Sequence, residues 1–384
     1  MTAIINAKLI LEDGILWNGI LLMDGDRIVD YGKASEIEIP AGTEIIDACG
    51  KYVGPGFVDI HNHGGNGAKF EDDPETASLH FLSHGETTVL AALYFDLDLD
   101  GYISAIGKIR KAKDAGGASR IIEGLYMEGP YMNPKYGSWA EKNKWSGPID
   151  STQYEKLVDF AGDFARVWAL APERAGIEAF VQYAKKVNPN IVFSVGHSEA
   201  TPDQVYALEH YGLKLQTHCT NATNAPSDMA GTRGCGPDEA CLYDSNLYAE
   251  VICDSNAIHV KPHMLRMITK IKGIDKVILI TDSSAFDGDS PKELQYISDL
   301  CFDGNNDLSG SKLTMDQACR NMMAHTSCGI CQVFRMACLN PAKVLGIEQE
   351  TGSIQRGKKA NLVIVDDTIN VEKVIFNGKV WQKS

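Results

Sequence analysis

Between residues 1 and about 52, apolar and polar positions alternate in short runs: Ala3-Ile4-Ile5, Leu9-Ile10-Leu11, Gly19-Ile20-Leu21-Leu22-Met23 and Arg27-Ile28-Val29. Asp24-Gly25-Asp26 supplies a hairpin turn between two of them. The same texture returns at the other end, in Ala360 to Val365, Val371 to Phe376 and Lys379-Val380-Trp381, with Asn377-Gly378 as the turn. The pattern predicts one small sheet domain, residues 1–52 and 349–384, built from both termini beside a central domain, residues 53–348.

The middle of the chain changes period. Short apolar runs alternate with helix-like stretches, the signal of parallel β/α units. Eight strands are expected: Phe57–His61, Thr87–Leu93, Ile121–Met127, Val167–Ala171, Ile191–Gly196, Leu213–His218, Tyr248–Cys253 and Val277–Thr281. Eight such units match an α/β (β/α)8 barrel of the TIM type, whose chemistry sits at the C-terminal strand ends. Five of these strands end in His, Glu or Asp: His61 and His63, Glu128, His197, His218 and Asp282. None of these residue types suits a strand interior, and on one rim they compose a metal site.

With 384 residues the chain has length for a large barrel and a smaller domain. The formal net charge of −15 argues against nucleic acid or an anionic membrane as partner. A substrate phosphate would need locally placed donors. The N-terminus has no basic region followed by a long apolar run, and no stretch reaches membrane-spanning length, so a cytoplasmic protein is expected. Ten scattered cysteines are expected to be reduced. Cys328-Gly-Ile-Cys331 has redox or zinc spacing but no second pair, and its neighbourhood from Ala318 to Leu339 reads as helical, which favours a structural role.

Two metals held close together need a bridging anion. A carboxylated lysine on the fourth strand serves this in some barrels, but Val167-Trp168-Ala169-Leu170-Ala171-Pro172-Glu173 contains none. Glu128 is then the available bridge. His197 and His218 complete one site with it, and His61 and His63 hold a second ion. Asp282 lies across the mouth, placed to take a proton from water activated by the metal and deliver it to a leaving amine. Asp59, two residues before His61, is either a partner of that imidazole or a buried, hydrogen-bonded carboxylate. Glu173 is expected to orient the fourth-strand loop. His80, His84, His210, His263 and His325 fall in expected helices, away from the rim.

These stretches resemble the amidohydrolase superfamily, and within it the N-acetylglucosamine-6-phosphate deacetylases. The resemblance is carried by Pro55 to Gly65, Met127-Glu128-Gly129-Pro130-Tyr131, Gly196-His197-Ser198, Thr217-His218 with Asn221-Ala222, and Ile280-Thr281-Asp282. It continues through Ser309-Gly310-Ser311 and Gly357 to Leu362, covering nearly the whole chain. It implies a barrel with a terminal β-sandwich and one or two divalent ions per chain, zinc or iron first, with manganese and cobalt as alternatives. It implies that Glu128, His197 and His218 bind the principal ion and Asp282 is the catalytic base. Asn221, the Ala222 backbone and His259 would hold the phosphosugar. It also implies a homodimer. Two departures stand out. Gly137-Ser138-Trp139 occupies the place of the usual carbonyl-polarising His or Gln, leaving Trp139 as an indole donor. The arginine that the resemblance places soon after Asn221-Ala222, reaching the phosphate of a neighbouring subunit, comes only at Arg233. The expected reaction is deacetylation of N-acetylglucosamine-6-phosphate. The alternatives are another N-acyl amino sugar, such as N-acetylgalactosamine-6-phosphate, or an N-acyl amino acid. A non-catalytic scaffold would be marked by lost ligands, and none is lost.

Overall fold

A computed structural model of the chain describes residues 1–227, 229–286 and 288–381. Its centre is a sheet of eight parallel strands, hydrogen-bonded in chain order. They are Phe57–Asn62, Glu86–Tyr94, Ile122–Glu128, Ala165–Leu170, Val192–Val195, Leu213–Gln216, Tyr248–Ile252 and Val277–Ile280, each within two residues of its expected bounds. Nearly every residue in them is buried, which is why they read as continuous apolar runs rather than alternating ones. The first and eighth strands close the barrel. The Asp282 N–H donates to the His61 carbonyl at 2.9 Å, and the His63 N–H to the Ser283 carbonyl at 2.9 Å.

Helices cover the outside, each with local reasons to begin and end. Asp73 caps Pro74–Ser83 by accepting from the Thr76 N–H, with proline at the first helical position. Asp98 caps Leu99–Ala115 in the same way, and Gly116, at φ +97°, ends it. Ile177–Val187 buries Ile177, Phe180, Val181 and Ala184, the i, i+3, i+4, i+7 stripe of a helix laid on a core. Burying Phe180 alone is worth roughly 1.5–3 kcal/mol.

The chain ends form one further sheet. Strands Thr2–Leu11, Gly14–Asp24, Arg27–Lys33, Glu44–Asp47 and Tyr52–Pro55 join Leu362–Val365, Val371–Phe376 and Lys379–Val380. It folds over on itself: the Ile28 N–H meets the Lys358 carbonyl at 2.9 Å, and the Ala360 N–H meets that of Asp26 at 2.7 Å. Ile4, Leu9, Leu21, Val53, Leu362, Ile364 and Ile375 fill the space between the layers. Tyr52–Pro55 pairs within this sheet and runs through Gly56 straight into the first barrel strand, so the strand bearing His61 starts from a fixed point. All ten cysteines are free thiols. Cys328 lies in a short break between helices Met315–Thr326 and Ile330–Phe334, and Cys331 is inside the second of them.

Candidate metal centre

Six side chains from five strand ends meet at the C-terminal mouth of the barrel. They form two sets that share Glu128: His61, His63, Glu128 and Asp282, and Glu128, His197 and His218. The two oxygens of Glu128 face opposite ways. Oε1 lies 3.0 Å from His197 Nε2 and 3.2 Å from His218 Nε2, which are themselves 3.1 Å apart. Oε2 lies 2.9 Å from His63 Nε2 and 3.5 Å from His61 Nε2. Asp282 Oδ1 approaches His63 Nε2 at 3.4 Å and His61 Nε2 at 3.7 Å.

This donor set fits a divalent ion. Nitrogen and oxygen ligands about a tetrahedral zinc, at about 2.0–2.1 Å from it, stand roughly 3.3 Å from one another. Three converging atoms of the second set have that spacing. His61 Nε2 is buried and makes no hydrogen bond, an orphan that a cation would satisfy. The electrostatics agree. Burial works against the charge of Glu128, but His61, His197 and His218 outweigh it and hold the carboxyl well below its usual range. Burial likewise disfavours a charged His63, yet Asp282 and Glu128 lift its imidazole to about 9. Asp282 follows the same pattern: burial raises it, and His61 and His63 bring it below the ordinary carboxylate value. Ionised carboxylates that pull protons onto imidazoles will hold a metal cation in their place.

The backbone turns these side chains inward. His197, His218 and Asp282 all have left-handed backbone, at φ 47°, 27° and 46°. Asp and His enter that region more readily than most residues, and each ends its strand there. Glu173 ties three loops together: it accepts from Asn133 Nδ2 (2.8 Å), the Glu199 N–H (2.8 Å) and the Ser198 hydroxyl (2.7 Å). Asp59 does not touch the His61 ring. It accepts from Asn62 Nδ2 (2.9 Å) and the Thr281 hydroxyl (2.5 Å), so it pins the first strand to the eighth.

A cavity of about 350 Å³ opens over the cluster. His63, Glu128, His197, His218 and Asp282 line it, and so do Asn221, Ala222 and His259. His259 is held by Asp254 Oδ2 at 3.0 Å, and its Nε2 faces the Gly310 carbonyl at 3.1 Å. Two expected residues are not brought in. Trp139 turns away, its ring edge-on to Phe286 at 5.4 Å with Lys142 over its face, while Gly137 and Ser138 line the cavity instead. Arg233, expected to reach a neighbouring subunit rather than this cavity, is exposed and paired with Glu239. Among the described residues, no lysine or arginine lines the cavity, and Asp307 does.

The amidohydrolase family profile matches residues 52–381. The chain belongs to the amidohydrolase family. Among its curated relatives, N-acetylglucosamine-6-phosphate deacetylase of Haemophilus influenzae is 29% identical over 398 aligned residues, covering 100% of this chain and 99% of the other. N-acetylgalactosamine-6-phosphate deacetylase of Escherichia coli O157:H7 is 28% identical, covering 99% of each. The crystal structure of N-acetylglucosamine-6-phosphate deacetylase from Pasteurella multocida superposes with a TM-score of 0.86 at 27% identity, covering 99% of both chains. A variant of the Mycobacterium smegmatis enzyme in complex with N-acetyl-D-glucosamine-6-phosphate superposes at 0.81 and 27%, covering 99% of this chain and 98% of that one.

Two buried residues that the sequence did not single out stand beside the cluster. Glu250, in the seventh strand, is fully buried beside His61. A carboxylate inside the apolar run Tyr248-Ala249-Glu250-Val251-Ile252 was the available signal. Tyr126, stacked on the His61 ring with centroids 4.0 Å apart, gave none, since a tyrosine in a strand is ordinary. Among the described residues, no helix is long and apolar enough to cross a membrane.

Proposed function

We propose that the chain is a metal-dependent deacetylase that hydrolyses N-acetylglucosamine-6-phosphate to glucosamine-6-phosphate and acetate. The observation that carries this reading is Glu128, one carboxylate with each oxygen facing its own group of imidazoles, and Asp282 lining the same cavity. Glu128, His197 and His218 would hold the principal ion, and His61 and His63 a second one through the same carboxylate. When bound, a divalent ion supplies Lewis acidity and makes water nucleophilic near neutral pH. Asp282 supplies the proton handling. Held ionised by His61 and His63, its Oδ1 accepts a proton from the water that attacks the acetyl carbon. It returns that proton to the amine nitrogen as the amide bond breaks. Asn221, the Ala222 backbone and His259 orient the sugar. The names and full-length coverage of the relatives support the substrate class.

The lack of a lysine or arginine among the described lining residues favours a second reading, an N-acyl substrate without phosphate. Acetate release from N-acetylglucosamine-6-phosphate, N-acetylgalactosamine-6-phosphate, unphosphorylated N-acetylglucosamine and an N-acetyl amino acid separates the two. The expected result is the highest kcat/KM for N-acetylglucosamine-6-phosphate. Preference for an unphosphorylated compound would replace the first reading by the second. The remaining proposals are a cytoplasmic homodimer with its interface beside residues 220–240, a division into residues 53–348 and the two termini, and zinc or iron as the ion. Sedimentation velocity, limited proteolysis and metal analysis of protein purified without added metal test the dimer, the division and the ion.

A further inference from the structure

Glu250 has no place in the chemistry above, yet it is fully buried against the cluster. Its Oε2 lies 3.4 Å from His61 Nδ1, accepts from the Tyr126 hydroxyl at 3.2 Å, and lies 3.4 Å from the His218 backbone N–H. Tyr126 is itself fixed, 2.9 Å from Thr217 Oγ1, which lies 2.7 Å from Ser194 Oγ. The Tyr126 ring lies on the imidazole of His61 at an interplanar angle of 18°, so that ring cannot turn without displacing it. A backbone N–H can only donate, and Oε2 already serves it as an acceptor. With Oε2 in that role, its contact with His61 Nδ1 is met by an imidazole that carries its proton on Nδ1. Nε2 is left with its lone pair free, directed at Glu128 and Asp282. The His218 ring has no such partner: its Nδ1 is buried and makes no hydrogen bond.

We propose that Glu250 is a positioning residue that fixes the tautomer and orientation of His61, and so sets the affinity of the ion on the His61–His63 side rather than that of the principal ion. The proposal rests on the metal-centre reading above. Partners of ligating imidazoles are typically worth about 10–100-fold in metal affinity. Apoprotein is titrated with zinc by calorimetry, with His63→Ala and His197→Ala proteins used to assign each binding phase. Wild type is expected to take up two ions. Glu250→Leu is expected to weaken the His61-side phase by about 10–100-fold and the other far less. Glu250→Gln keeps an acceptor at the Oε2 position, with its amide group where the unpartnered Oε1 now sits, and is expected to restore most of the loss. In zinc-loaded, histidine-labelled protein, long-range proton–nitrogen spectra are expected to show His61 protonated at Nδ1 in wild type and Glu250→Gln. Equal weakening of both phases in Glu250→Leu, unchanged affinities, or a Gln variant as impaired as the Leu one would each overturn the role of Glu250 and leave the metal centre standing. A His61 bonded to zinc through Nδ1 would do the same. Uptake of no zinc by wild type would overturn the metal-centre reading itself, and uptake of a single ion would remove the site that Glu250 is proposed to serve. Should Glu250→Leu fail to fold, the Gln variant and the wild-type spectra still decide the tautomer.

Discussion

At the scale of single residues, Asp282 and Gly137 carry opposite kinds of information. Asp282 stands in left-handed backbone, a region that asparagine also tolerates, so Asp282→Asn is expected to fold. It should retain the ion held by Glu128, His197 and His218 while kcat falls by about 10²–10⁴-fold, the worth of positioned proton transfer. Metal content lost in step with activity would make Asp282 a ligand and not a base. Gly137 works by what it lacks. At φ +103°, a Cβ there would lie 2.6 Å from the Tyr94 hydroxyl and 2.7 Å from His197 Nδ1. Gly137→Ala is expected to displace the His197 ring and lower kcat on the order of 10²-fold, since ångström-scale errors cost that much. A variant with normal kcat would show that the loop yields instead of the ring. The six clustered residues were legible in the sequence because each stands at or just past the end of an apolar strand, with a side chain that a strand interior rejects. Gly137 was legible only as part of a departure, because a glycine's contact is known once the chain that passes over it is known. Trp139 misled for the same reason: adjacency to the cavity in sequence says nothing of which way an indole turns.

At the scale of elements, the segment after the seventh strand shows how a loop is made rigid. Asp254 accepts the backbone N–H groups of Asn256, Ile258 and His259, and the Nδ1 of His259. Burial raises its carboxyl, but His259 and these N–H groups outweigh burial and bring it to about 2. An acid depressed in the folded state adds stability above its unfolded value near 4, and loses that contribution as pH falls through about 2. The contribution at pH 7 is roughly 2 kcal/mol. Asp254→Asn is therefore expected to be less stable than wild type by about that amount in urea at pH 7, with the gap narrowing below pH 4. A gap that stays constant down to pH 2 would assign the loss to packing. The strands themselves were legible to within two residues, because burial on both faces leaves an uninterrupted apolar run. The loops between strand ends were not, since their shape depends on side chains such as Glu173 that join segments far apart in sequence.

At the scale of the whole molecule, closure of the barrel and formation of the metal cluster are the same event. The hydrogen bonds that join the first and eighth strands involve His61, His63 and Asp282 themselves. An ion bound 1,000-fold above its dissociation constant stabilises the folded state by about 4 kcal/mol. Removal of metal by a chelator is therefore expected to lower Tm. It should also speed hydrogen exchange at residues 61–64 and 281–284, with little change in the sheet formed by the termini. Uniform acceleration across both sheets would mean that the seam has no special dependence on the ion. The two-part architecture was legible because both termini share one texture, though the folding of their sheet onto itself depends on Ile28, Lys358 and Ala360, which no local pattern links.

The order in which the cluster's residues occur along the chain bears on how the protein is made. Synthesis runs from the N-terminus, and His197, His218 and Glu128 have all been added once residue 218 is in place. The other set gains its last member, Asp282, 64 residues later. A nascent chain therefore carries one complete three-residue set well before it carries the second. The pocket that joins them exists only after the ribosome has passed the eighth strand.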